Sequence, residues 1–302
     1  MTSTPHATRP IPTARLLVGS ARRTASFARD HLLALVLCIA LLVAAAFITQ
    51  RLQASYLQHN GFNPTFADSL IWLLGPANAT PFPLLWCVCP VVAMTWLLFM
   101  ERGRDEANWA VRHGSFRRLW ATRLVETTLV SLTFGFIAFA AATAASLIGT
   151  AAGSTPLVNF DDPHSLFAAF CDGTTTRPPS LATLLATALC LSLLAPCVLI
   201  TLHALLRWIL PGEVLAFLLI TAAGLTAVHS PLAFALDAAR ALGTNLTLTN
   251  PLALLYETSS IAHATWLPGA THHLWLMPAV WLAAATLGLA TAHRKELPPK
   301  KN

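Results

Sequence analysis

Charge is scarce in this sequence. Only 11% of its 302 residues are Asp, Glu, Lys or Arg, and 55% are hydrophobic. Soluble domains carry about 25% charged residues, so this chain cannot cover a water-facing surface. A mean hydropathy of +0.61 points the same way. The composition predicts an integral membrane protein.

Lysine is scarcer still: Lys295, Lys300 and Lys301 are the whole complement, all in the C-terminal tail. A Walker A loop needs a lysine directly after its glycines to reach the nucleotide phosphates. The chain is therefore not its own ATP motor, and no cofactor is expected on it. Acids number thirteen, with no paired-carboxylate helix, no HExxH and no Ser–His pair of the kind an intramembrane protease needs. Ionisable groups inside a span are costly and mark chemistry where they occur. Here Glu126 lies about one turn inside an apolar run and Asp237 ends another, which is too little for a catalytic site or a proton relay. We expect no enzyme and no metal centre. His203 and His229 read as packing or interface histidines, and no spacing gathers His263, His272 and His273 around an ion. No inverted halves of the kind seen in many secondary carriers are visible.

Disulfides are not expected either. Cys38, Cys87, Cys89, Cys190 and Cys197 sit inside apolar runs, where a thiol acts as a small hydrophobe, and Cys171 in a polar loop has no evident partner there. The two-residue spacing of Cys87 and Cys89 directs their sulfurs to different helix faces.

Six apolar runs account for nearly half of the chain. Residues 31–50 are long enough to cross a hydrocarbon core of about 30 Å. The alternative, a signal peptide cut near Ala44–Ala46, fits poorly with the long leader and the absence of a following soluble domain. Further spans are expected at about 81–100, bent at Pro90, and at 124–151. Three more follow at 181–208, bent near Pro196, at 214–236 and at 273–292. The third is rich in small residues (Gly135, Ala140, Ala141, Ala144, Ala145, Gly149) that permit close helix contact. Segments 69–75 and 164–170 are too short to span and read as interfacial helices. The stretch 237–273 is too broken to span. The fold class predicted is all-α, a polytopic membrane protein with six transmembrane helices. Its parts are a basic N-terminal segment (1–30), a six-helix domain (31–293) and a tail (294–302).

Sixteen of the nineteen basic residues fall on one side of this layout. The positive-inside rule makes that side cytoplasmic, with both termini there. The pI near 9.3 is explained by these flanks, so no nucleic-acid partner is expected. Within residues 1–30 the first dozen read as disordered. From Thr13, Leu16, Leu17 and Ala21 can share one helix side, with Arg15, Arg22 and Arg23 near its polar edge. Either a basic amphipathic helix in the headgroup plane or a plain basic flank fits.

The most charged inter-span segment is Glu101 to Glu126, with six basic and four acidic residues. Residues 104–113 favour a helix, with Trp109 and Val111 offering apolar contact on different sides. Gly114 can end that helix at positive φ, and Ser115 can cap the next, which runs through Leu119 and Trp120 into the third span. A helix–Gly–helix elbow of this kind could dock in a groove on a cytoplasmic partner. An ordinary basic loop that sets orientation and meets anionic lipid is the alternative.

This layout resembles the membrane subunits of ABC-2-type ABC transporters, in particular small bacterial permeases of multidrug export and lantibiotic immunity. Glu101, Arg102, Arg104, Asp105 and Glu106 match an acidic-basic cluster those permeases carry after the second span. Arg112, Gly114, Ser115, Arg117 and Arg118 match an R-x-G-S-x-R phrase before the third. Arg123 stands where many relatives have lysine, and 237–273 gives no clear re-entrant helix. The resemblance implies a separate ABC ATPase subunit docking on these residues and Trp109. It also implies a second permease copy or paralogue as dimer partner, a bacterial plasma-membrane location, and export along a seam lined mainly by the second and fifth spans. Scarce intramembrane charge fits an amphipathic or hydrophobic cargo entering partly from membrane lipid. The alternative is a non-transport membrane scaffold or sensor recruiting a cytoplasmic partner through the same segment.

Overall fold

The structure, a computed structural model, describes residues 13–59, 65–74, 84–101, 115–150, 181–210, 213–228 and 276–296. Helices make up nearly all of this. They are α1 (Thr13–Asp30), α2 (Leu32–His59), α3 (Phe66–Leu74), α4 (Cys89–Glu101), α5 (Phe116–Gly149), α6 (Leu181–Ile209), α7 (Glu213–Val228) and α8 (Leu276–Glu296). No strand occurs among the described residues. Each of the six apolar runs carries a helix.

Among the described residues, three helices are long and apolar enough to cross a membrane: Leu32–Leu52 of α2, all of α5, and Leu185–Ile209 of α6. The described residues are thus helical, as expected of a membrane protein. At a rise of 1.5 Å per residue, the 16 residues of α7 reach about 24 Å, short of a hydrocarbon core of about 30 Å. In α8 the last turn is charged, with His293, Arg294 and Lys295.

Pro90 follows a π-helical turn, Leu84–Val88, and stands second in α4. Proline lacks the N–H that would bond four residues back and its ring crowds that carbonyl, so the chain widens there. The bend expected at Pro90 is expressed as this wide turn. Pro196 lies within α6, which continues through it.

The middle of the bundle is α5, which packs on α1, α2, α3, α4, α6 and α8. Its buried face runs through Val130, Phe134, Ala138, Ala141, Ala142 and Ala145 at three- and four-residue steps. Gly135 marks a close approach to α6: a Cβ there would lie 2.2 Å from the Ser192 carbonyl oxygen. Small residues let the backbones meet as expected, but Ala140 faces outward. Helix α3 forms close to its expected place, and it turns Phe66, Leu70, Leu73 and Leu74 into the bundle. It packs against α5, α2 and α6 rather than merely resting at the surface. Segments 164–170 and 237–273 and Cys171 lie outside the described residues.

The helices alternate in direction. The C-terminal end of α4, the N-terminal end of α5, the C-terminal end of α6 and the C-terminal end of α8 meet at one end of the bundle, together with α1. The junction of α1 and α2 at His31 sits there too, its ring 5.0 Å from that of Phe99. At the opposite end, Gln50 of α2 is buried against Gly149 of α5.

Replacing Gly135 by leucine should open the α5–α6 contact and lower stability by about 1–3 kcal/mol through overpacking. Ala140→Leu, on the outward face, should change it by no more than about 0.5 kcal/mol. Thermal unfolding of the detergent-solubilised protein compares the two, and equal losses would contradict the packing.

Candidate functional site

Buried charge gathers where these helix ends meet. Glu101 is the last residue of α4, its side chain 11% exposed. Its carboxylate accepts a hydrogen bond from Arg207 Nη1 of α6 and lies 3.6 Å from Arg123 Nε of α5. Both arginine side chains are only 10% exposed. Nearly one turn further along α5, Glu126 is 3% exposed and its Oε1 stands 3.1 Å from Arg23 Nε of α1. That contact is an ion pair without hydrogen-bond alignment. Two carboxylates and three guanidiniums from four helices thus form two ion clusters, Arg207–Glu101–Arg123 and Glu126–Arg23, less than one turn apart on α5. Burial of such groups is tolerated only in pairs, because removing one partner strands the other in a poorly solvating interior.

An aromatic floor supports the charges. The Arg123 guanidinium lies 5.2 Å from the Trp208 ring, and Lys295 Nζ of α8 lies 4.1 Å from it. Lys295 also donates to the Trp208 carbonyl at 3.2 Å. These are cation–π distances, and desolvation strengthens such contacts. Trp120 is fully buried, 5.6 Å from Trp208 between ring centres, and its Nε1 donates to the Ala285 carbonyl at 3.0 Å. Gly288 lets α8 lie flat on this indole, since a Cβ there would fall 2.0 Å from the ring. Leu119, Leu205, Ala284 and Ala292 complete a small apolar cluster around the two indoles. Arg117 meets His293 of α8 at the rim.

Local sequence explains the placement. Ser115, in extended conformation, accepts a hydrogen bond from the Arg118 backbone N–H at 3.2 Å and caps α5. From that start, Leu119, Trp120, Arg123, Glu126 and Thr127 fall on the buried side of α5. On α6, His203 and Arg207 are four residues apart and share a side. A cavity of about 10 Å³, roughly one water in size, is lined by Leu97, Glu101, Arg123, Thr127, His203 and Arg207, with Ala204.

Of the residues expected to couple to a motor, Glu101, Ser115, Arg117 and Arg118 are described and border this cluster. Glu101 is built into it; Arg117 is exposed and Arg118 half-buried. Arg102, Arg104, Asp105, Glu106, Trp109, Arg112 and Gly114 lie outside the described residues, and so do His263, His272 and His273. The sequence pattern puts Arg23 near the polar edge of its helix; in the structure it turns inward to Glu126. That pattern does not single out Arg123 or Arg207 as site residues. The signal that marks them is the expense of a charge beside or within an apolar run, which requires a partner.

The chain matches no family model, no curated protein and no solved structure.

A double-mutant cycle on Glu101→Gln and Arg207→Gln should return a coupling of about 0.5–3 kcal/mol from thermal unfolding in detergent. Additive losses would remove the contact from the account.

Proposed function

We propose that this chain is the permease subunit of an ATP-driven exporter of the ABC-2 type. It crosses the membrane six times with both termini in the cytoplasm. A separate ATPase docks on residues 101–126, and a second permease copy or paralogue completes the transport path. The cargo is amphipathic or hydrophobic.

The observation that carries this reading is the anchoring of the segment after α4. Its first residue, Glu101, is held by arginines of α5 and α6, and its last residues form the capped start of α5. A push on residues 102–114 therefore enters α4, α5 and α6 together. A loop serving only to set orientation has no need of a buried carboxylate at its root. The alternating helix directions, with α1 and the end of α8 at the basic end, fit an even number of crossings. The basic residues of that end support a cytoplasmic placement.

Two measurements test the proposal. A P-loop ATPase encoded next to this chain should copurify with the wild type and be lost with Glu106→Arg or Gly114→Pro; equal recovery with all three, with transport intact, would sink the docking site. In intact cells an impermeant thiol reagent should label Cys171 and spare a cysteine placed at Ser115. The reverse pattern would overturn the orientation.

A further inference from the structure

Helix α1 has three faces, and the bundle uses one of them. Ser20 is fully buried and Leu16, Arg23, Thr24 and Phe27 are partly so. Arg23 reaches Glu126, and the Phe27 ring meets Trp96 at 5.3 Å and Phe99 at 5.5 Å, both edge to face. A second face is apolar and exposed: Leu17 at 47%, Val18 at 51%, and the exposed Ala21 and Ala25. The third is basic. Arg15, Arg22 and Arg29 are all exposed. Their seven-residue spacing puts them within about 40° of one another around the helix, some 10 Å apart along it. Arg29 lies 3.5 Å from the neighbouring Asp30, an exposed pair that holds little of its charge.

The geometry points to a binding ridge for anionic lipid headgroups, made by Arg15, Arg22 and Arg29 on α1 lying in the plane of the membrane surface. Charge complementarity requires an anion, and the adjoining apolar face requires hydrocarbon within one helix diameter of it. The headgroup layer of an acidic bilayer offers both. A soluble acidic protein or a nucleic acid would meet the arginines and leave Leu17 and Val18 in water. Continuity with α2 decides the same way. Two residues after α1 ends, the exposed leucines of α2 begin, with Leu32, Leu33, Leu37 and Leu41 all more than half exposed. Hydrocarbon must therefore start at His31, which sets α1 at the level of the lipid phosphates. Through Arg23 and Glu126, a helix held by lipid is tied to the buried charges of α5. This inference needs the chain to span a membrane, not to transport.

The test uses the full chain in vesicles of phosphatidylglycerol and phosphatidylcholine in equal amounts, with the lipids retained after release counted by native mass spectrometry. Each surface arginine contributes roughly fivefold to anionic-membrane affinity. The triple variant Arg15→Gln, Arg22→Gln, Arg29→Gln should lose its preference for phosphatidylglycerol by tenfold or more, and the corresponding triple lysine variant should keep it. Unchanged preference in the glutamine variant would overturn the proposal. Should that variant not fold, raising salt from about 0.05 to about 0.5 M on the wild type gives the answer, because screening must erase the preference. A salt-independent preference, or none, would overturn it. So would capture of an acidic oligonucleotide through these arginines without any lipid preference.

Discussion

A carboxylate at the end of α4 shared by guanidiniums from α5 and α6 is the contact on which the basic end depends. Glu101 and its two arginines are each about nine-tenths buried. Each has left most of its hydration behind, so none can move away alone without a penalty of about 3–5 kcal/mol. The three helix ends are consequently bound as one body. Arg123 passes the constraint to Trp208 by its cation–π contact, and Lys295 brings α8 to the same ring. One turn deeper, a second ion pair, Glu126 with Arg23, ties α5 to α1. Apolar packing alone would let these helices slide, because lipid tails satisfy leucine as well as another helix does. Directional charge contacts fix their rotation.

The fold supports that rigid end along the length of α5. Its alanine-rich face and Gly135 bring it against α6 at backbone distance, so a displacement at Arg123 is carried into the bundle rather than absorbed by long side chains. Helix α2, by contrast, exposes a broad stripe of leucines and packs through Leu42 and Ala46, as a peripheral helix facing lipid should. The lipid-facing stripe of α2 and the buried charges of α5 are thus on different helices that pack directly on each other.

The sequence revealed where helices lie and little of how they are turned. Apolar run length located α2 and α4 to α8, and a shorter apolar insert located α3. Ser115 was readable as a cap from its place before an apolar run. Rotation was not. Small residues occur on several sides of α5, so composition marked Ala140 along with Ala141 and Ala145, and only the last two face inward. Arg207 and Glu101 are 106 residues apart, and a count of charges per side cannot say which faces which. Arg23 was set with Arg15 and Arg22 by its chemistry. Its partner on a distant helix turned it inward, and that split one apparent polar edge into a buried contact and an exposed ridge.

If a separate ATPase acts on residues 102–114, as proposed, Glu101 transmits its work to the helices. The most direct test is cargo moved per ATP hydrolysed by the reconstituted permease–ATPase complex, comparing wild type with Glu101→Gln at matched ATPase binding. The account predicts that Glu101→Gln keeps its ATPase and hydrolyses ATP, with transport per ATP reduced tenfold or more. Arg23→Gln, which spares the Glu101 contacts, should reduce it far less. Wild-type transport per ATP in Glu101→Gln would contradict the claim.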